Sequence, residues 1–330
     1  MKQRHLLVIL CLAILTLSSC TGKSAEGDED EPFTRETFTG TKGLEMKFSD
    51  NLPPSIVYYS PDGYNSNQEL LRLSIEMRNK GAYDITDCAL YLDGYDRNLL
   101  SFTPSPGTGY PCEFLEGKSN FNPEGGFNVH EFIGNLDNRW PEGLDKYDVK
   151  LKVSACYPYQ TTATPLVCID PHPFIKEEDK PCRVGTTSVA GGQGAPVAVT
   201  SINEQGTEDV VHFEIKISNV GNGVVFDRAI EGSSCAYDGI CCPYNIPYND
   251  LNMVEFTVLL SGDSPIQCKP SHNGNRVRMV DGEGTIFCTF DIRDDVDSAY
   301  KAPLQITLDY GYKDWIEEDV TIKFVGEYPQ

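Results

Sequence analysis

The sequence predicts an all-β chain of two tandem antiparallel sandwiches, and three observations carry that prediction. Apolar residues alternate with period two, so Leu71, Leu73, Ile75 and Met77 share one face of a strand. Val149, Leu151, Val153 and Ala155 do the same, as do Val254, Phe256, Val258 and Leu260. Secondly, the chain holds 29 glycines and 21 prolines, many of them between these runs, which suits short strands joined by turns. The third observation is an internal repeat. Leu73-x-Ile75-x-Met77-x-Asn79-x-Gly81 returns 140 positions later as Phe213-x-Ile215-x-Ile217-x-Asn219-x-Gly221. Tyr147, Leu151, Val153, Tyr157, Tyr159, Val167 and Ile169 return as Tyr300, Leu304, Ile306, Tyr310, Tyr312, Val320 and Ile322, at an offset of 153. The 13-residue difference implies extra loop in the second copy, within its cysteine-rich segment. The matched positions are inward-facing strand residues and a turn glycine, so the repeat encodes a fold and not a site.

Taken in order, the chain opens with Lys2, Arg4 and His5 and then the largely apolar run Leu6 to Leu17. That run is too short to cross a bilayer, which takes about 20 residues, but it suits the apolar core of a secretory signal spanning residues 1–19. Residues 20–43 form a tether with the acidic run Asp28 to Glu31 and no apolar periodicity. Residues 44–170 form the first sandwich and 195–330 the second. About seven short strands with one apolar face need a second sheet to cover that face. In both copies the last tyrosine-led strand is expected to close as a hairpin. The intervening residues 171–194, with Pro171, Pro173, Pro181 and Gly191-Gly192-Gln193-Gly194, read as a linker, and Cys182 suggests that it is pinned.

Two resemblances sit on these residues. Leu17-Ser18-Ser19-Cys20 resembles a prokaryotic lipobox. It implies cleavage before Cys20, a lipidated thiol there, and a mature protein anchored to the outer face of the membrane. A plain signal peptide or an uncleaved N-terminal anchor are the competing accounts. The alternating strand that ends in Asn79-x-Gly81 or Asn219-x-Gly221, followed by a final tyrosine-led segment, resembles the CARDB-type immunoglobulin-like domains of prokaryotic surface proteins. The resemblance spans residues 44–170 and 195–327. It implies an immunoglobulin-like sandwich used for display, spacing or adhesion, and no chemistry. The whole chain is also similar to archaeal membrane-anchored proteins of tandem domains. Its cysteines depart from simple CARDB modules, which usually lack them.

A formal charge of −22 argues against nucleic acid or anionic headgroups as partners, since both are polyanions. The membrane is then met through the N-terminal lipid, and the expected partner is an extracellular protein or glycan. Of 12 cysteines, Cys11 leaves with the signal and Cys20 is assigned to lipid. An even set remains: Cys88, Cys112, Cys156, Cys168, Cys182, Cys235, Cys241, Cys242, Cys268 and Cys288. In an exported chain these read as disulfides, and the absence of any C-x2-C pair weakens the zinc alternative. Spacing suggests Cys88–Cys112, Cys268–Cys288 and, across the last hairpin, Cys156–Cys168. Cys235 would close on Cys241 or Cys242, and the other of that pair would reach Cys182 and lock the two halves together. Spacing alone does not fix connectivity.

Signals for catalysis are weak. No H-E-x-x-H and no G-x-S-x-G occurs, and the expectation is a non-catalytic protein without a resident cofactor. His130 and His212 fall in strands, where a hydrogen-bonded structural role is the simpler account. Asp291, Asp294, Asp295 and Asp297 are the best cation candidates, of a kind that suits Ca2+, against a solvated acidic turn. Trp140, on a loop, is the better exposed of the aromatic candidates. Tyr237, Tyr244 and Tyr248 lie in or beside the stapled Cys235–Cys242 loop, where constraint lowers the entropy cost of binding. The same rings could instead cover the sandwich edge. Two functions follow: surface adhesion, scaffolding or assembly, and alternatively a glycan- or solute-binding lipoprotein, Ca2+-dependent or not, serving a transporter or envelope enzyme.

Overall fold

The structure, a computed structural model, describes residues 39–60, 71–105, 109–136, 140–175, 179–228, 246–262, 264–271, 274–292 and 297–325. The signal segment 1–19, Cys20 and most of the tether lie outside these residues. From Glu36 onward the chain is one compact unit, all-β, with no α-helix among the described residues. The first copy runs through β1 (Leu44–Phe48), β2 (Ile56–Tyr59), β3 (Leu71–Asn79), β4 (Ala89–Asp93) and β5 (Leu100–Thr103). It continues through β6 (Tyr110–Pro111), β7 (Phe127–Leu136), β8 (Lys146–Ala163) and β9 (Leu166–Ile169). The second copy has β10 (Thr186–Ser188), β11 (Val197–Gly206), β12 (Val210–Asn219), β13 (Val224–Phe226) and β14 (Met253–Leu260). After these come β15 (Ser264–Pro265), β16 (Gln267–Lys269), β17 (Arg276–Arg278), β18 (Glu283–Asp291) and β19 (Tyr300–Phe324).

Two outer sheets, β1-β3-β7-β5 and β10-β11-β12-β18-β16, pack on a ten-stranded sheet whose path is β15-β14-β19-β8-β4-β6. The period-two pattern decides which side chains go in. Leu73, Ile75, Leu151, Val153, Ala155 and Val254 are all fully buried, and both halves contribute to one continuous core. The extra chain of the second copy falls between Phe226 and Met253, the span that holds its cysteine-rich segment.

The expected final hairpin does not form. β8 runs straight on and pairs antiparallel with β19 from Lys146 opposite Lys323 to Ala163 opposite Ile306. β9 continues the same register, Leu166 opposite Pro303 to Ile169 opposite Tyr300. Gln160-Thr161-Thr162-Ala163 lacks the Gly, Asn or Asp that a tight hairpin needs, and its β-branched threonines favour extended backbone. The strand of the other copy supplies the missing partner. Hence β4 pairs with the first half of β8, and the strand on the far side of β8 is the C-terminal half of β19, from the other copy. Reciprocally, β14 pairs with the first half of β19, and the neighbour beyond is the end of β8 with β9. Each sandwich is completed by a strand of its sister.

The register has a further property. Pro158 faces Gly311, which is its own counterpart at the repeat offset of 153, so a local two-fold axis passes between them. Around it lie Tyr157 opposite Tyr312 and Tyr159 opposite Tyr310, all buried. Their ring centroids are 5.8–6.4 Å apart around the cluster, edge-on or tilted as aromatic quadrupoles prefer.

These tyrosines explain the repeated motif. The Leu44 N–H donates to the Tyr157 hydroxyl at 3.1 Å, and the equivalent Val197 N–H donates to Tyr310 at 3.3 Å. Tyr159 donates to Asn79 Oδ1 at 3.4 Å, and Tyr312 to Asn219 Oδ1 at 3.3 Å. Each asparagine donates in turn to a carbonyl four residues on, Tyr83 at 2.7 Å and Gly223 at 2.9 Å. The Asn-x-Gly turn is therefore the dock for a tyrosine hydroxyl, and its glycine leaves room for that hydroxyl. A Cβ at Gly81 would stand 1.8 Å from the Tyr159 hydroxyl and 2.4 Å from the Gly194 carbonyl oxygen. Gly81→Ala is expected to cost about 3 kcal/mol, because backbone must shift. Gly221→Ala, whose Cβ would meet Tyr312 and the Pro196 side chain, should cost less. Urea midpoints of the two variants, compared at equal slope, test the order.

Candidate functional site

Cysteine connectivity sets what can be held in place. Cys88–Cys112 and Cys268–Cys288 form as the spacing suggests. Cys156–Cys168 does not, because the straight strand puts its two members about 40 Å apart at 3.3 Å per residue. Cys168 pairs instead with Cys182 at a Cα separation of 5.7 Å, which also corrects the expected bridge from Cys182 to Cys241 or Cys242. The chain reverses between them, and two residues inside the bridge a buried Asp170–Lys180 ion pair closes the next rung at 2.8 Å. Nearby, the buried carboxylate of Glu204 accepts the Cys168 N–H at 3.0 Å, and burial pushes its pKa up. The segment after β9 is thus fastened back to β9, which is itself bonded to the second copy through Glu204.

Cys156 is disulfide-bonded as well. Since the other six described cysteines pair among themselves, its partner lies outside the described residues, as do Cys235, Cys241 and Cys242. Cys156 packs with Ala89, Tyr91 and Phe226, against Ile246. Peptide mapping without reduction should find the three pairs above and no free thiol at Cys156. A Cys156–Cys168 peptide would contradict the strand path. The three disulfides formed among the described residues indicate an oxidising environment, compatible with a secreted or surface protein.

Among the acidic candidates, Asp291 ends β18 and is exposed, as is Asp297, while Asp294 and Asp295 lie outside the described residues. No group of three or more His, Cys, Asp or Glu placed to hold a metal ion occurs among the described residues. Trp140 is not the open platform expected of a loop residue. Its Nε1–H donates to the Leu144 carbonyl at 2.5 Å, and its ring lies 5.4 Å from Tyr59 and stacks on Phe324 at 6.1 Å. The physical reason is closure: β2 meets the end of β19 there, and the indole covers the apolar gap. Tyr248 is 80% exposed, with the Arg278 guanidinium 5.3 Å from its ring centroid. That guanidinium donates to the carbonyls of Tyr248, Asn249 and Leu251, which fixes the turn. Tyr237 and Tyr244 lie outside the described residues.

The histidines divide. His130 stacks on Tyr110 at 3.8 Å, and burial lowers its pKa. His212 lies on the outer face of the second copy's outer sheet, Nδ1 within 3.1 Å of Thr289 Oγ1 and the ring stacked on Phe287 at 5.3 Å. Phe287 is 40% exposed. Facing it across the ladders are Glu214 and Lys269, and facing Thr289 are His212 and Gln267. The next strand, β11, sets Asn203 beside Glu214 and Gln205 beside His212. Directly beneath, on the inner face, Cys268 opposes Cys288 and bonds to it, bolting the edge strand β16 to β18. This surface was not singled out from sequence. Its signal was there in the repeat, as residues that differ between the copies at matching outward positions.

A second feature is a groove of about 220 Å³ between Thr41–Met46, Val220–Asn222 and Tyr312–Ile316. Asp314 lines it; burial raises its carboxyl pKa, and the Trp315 N–H donates to it at 2.8 Å.

No family model matches this chain, and no curated protein does. Among solved structures, the crystal structure of the YadV chaperone is similar at 8% identity over 84% of this chain and 100% of that one, with a TM-score of 0.19. At that score the overlap carries no argument about fold or function.

Proposed function

We propose that this protein is lipid-anchored at Cys20 to the outer face of a prokaryotic membrane and acts there without catalysis, in surface adhesion, scaffolding or assembly. The observation that supports this best is the reciprocal completion of the two sandwiches. A single core and a shared ladder of β8 with β19 hold both copies together, as suits a display module. Disulfides and the clasped segment after β9 support endurance outside the cell. Tyr248, on a turn braced by Arg278, and the outer face around Phe287 are the surfaces offered to partners.

Cell fractionation tests the anchor. The protein should partition with membranes and take up labelled fatty acid, and Cys20→Ser should release it. Cells bearing the anchored protein should attach to their natural surface more strongly than cells bearing the released form. Recovery from the cytosol with residues 1–19 intact and thiols reduced would end the proposal.

A further inference from the structure

We infer that the outer face of the sheet β10-β11-β12-β18-β16 binds a neutral glycan, with the Phe287 ring as its stacking platform. The inference rests on the surface reading above and names a ligand class for one face. The two copies provide an internal comparison. β12 pairs with β18 as β3 pairs with β7: Glu214 faces Phe287 where Ser74 faces Glu131, and His212 faces Thr289 where Arg72 faces Ile133. Phe287 therefore stands in the place of Glu131, and His212 in that of Arg72. In the first copy these two places hold an ion pair at 3.1 Å. In the second they hold a stacked histidine and phenylalanine. The same scaffold accommodates the ion pair in the first copy, so the aromatic pair is not required for the sheet to form.

The surroundings favour a polyhydroxylated ligand. Thr285 and Thr289 flank the ring on its own strand, Gln267 stands on the next, and Asn203 and Gln205 extend the same face two strands away. Hydroxyls and amides both donate and accept, as sugar hydroxyls do. Strands about 4.8 Å apart repeat these groups at about the width of one sugar ring. An apolar ring beside them suits the C–H face of a pyranose, much as aromatic rings with polar neighbours serve other recognition sites.

Charge narrows the class. Lys216 and Lys269 nearly balance Glu214, Glu283 and Asp291 on this face, in a chain of net charge −22. A polyanion is repelled by the whole molecule, and a polycation is drawn more strongly elsewhere. Preorganisation is built in, since the Cys268–Cys288 bond beneath the platform holds β16 against β18.

The test uses the full-length protein on an array of neutral hexose and N-acetylhexosamine oligomers, followed by calorimetry with cellohexaose and N-acetylchitohexaose. Binding to a neutral oligomer should weaken at least tenfold in Phe287→Ala, persist in Phe287→Tyr and be unaffected by Glu131→Ala. An intact Cys268–Cys288 bridge in each variant shows that the sheet is formed. Binding of acidic glycans only, wild-type affinity in Phe287→Ala, or no neutral oligomer bound would each overturn the inference. Fractionation of the same preparation keeps the two ideas apart. A membrane-bound protein that ignores neutral glycans sinks this inference alone, whereas a cytosolic one sinks the surface reading.

Discussion

Above pH 10 the protein is expected to unfold over a narrow range, its stability falling by about 5 kcal/mol per pH unit. The cause is the cluster on the two-fold axis. Burial raises the hydroxyl pKa of Tyr157 and Tyr310 well above the ordinary value, raises that of Tyr159 as well, and pushes Tyr312 up to about 12. Hydrogen bonds from backbone N–H groups oppose the shift and are outweighed. The sign follows from the reference state. In the unfolded chain all four ionise near 10, whereas in the folded chain burial holds each of them above that, Tyr312 at about 12. Their stabilisation is therefore complete below pH 10 and is lost as pH rises from there. Each tyrosine contributes about 1.4 kcal/mol per pH unit, and four act together. At that slope a rise of about one pH unit removes a large share of the whole stability of a domain of this kind.

Tyrosinate absorbance at 295 nm, recorded with far-ultraviolet circular dichroism, checks this. Among the signals of the 17 tyrosines, a late, steep step should coincide with the collapse of the sheet signal. Tyr157→Phe should flatten that step, at a cost of about 1–3 kcal/mol at neutral pH for the stranded Leu44 N–H. A single smooth titration near 10, with dichroism unchanged past pH 12, would contradict the buried cluster.

Most of the sandwich was legible in the chain, and the reason is local. Leu71 to Met77 and Val254 to Leu260 fall on the core side because strand parity is a two-residue property that needs no long-range knowledge. The repeat was legible too, including the Asn-x-Gly turn, although its partner was not. Nothing near Asn79 in sequence announces that Tyr159, 80 positions on, sets its hydroxyl there. The hairpin failed for a related reason. Whether β8 folds back on itself or runs on beside β19 depends on a choice of partner, and both arrangements satisfy the same alternation. Two of the suggested cysteine pairs inherited that error. At the surface, Trp140 was misplaced because a loop residue can still close a core. Phe287 went unremarked because a lone apolar residue on an outward position is ordinary; only the ion pair at the matching place in the sister copy makes it informative.

Cutting the chain between the copies should leave the protein whole, whereas making either copy alone should fail. A protease site placed after Arg183 would separate residues up to 183 from the rest, beyond the Cys168–Cys182 loop. The pieces are nevertheless held by the ladder that runs from Lys146 opposite Lys323 to Ile169 opposite Tyr300. After cleavage and reduction the two pieces should co-elute on gel filtration. The first copy made alone lacks the Tyr312–Phe324 strand, which brings the buried side chains of Tyr312, Val320 and Ile322 to its sheet. Each such side chain contributes about 2 kcal/mol when buried, and the edge of β8 left behind presents unpaired backbone groups that invite aggregation. Co-expression with the second copy should restore soluble, co-purifying material. A soluble, cooperatively unfolding monomer from residues 39–183 would mean that the first copy closes its own sandwich, and that the strand exchange is not what holds the two halves together.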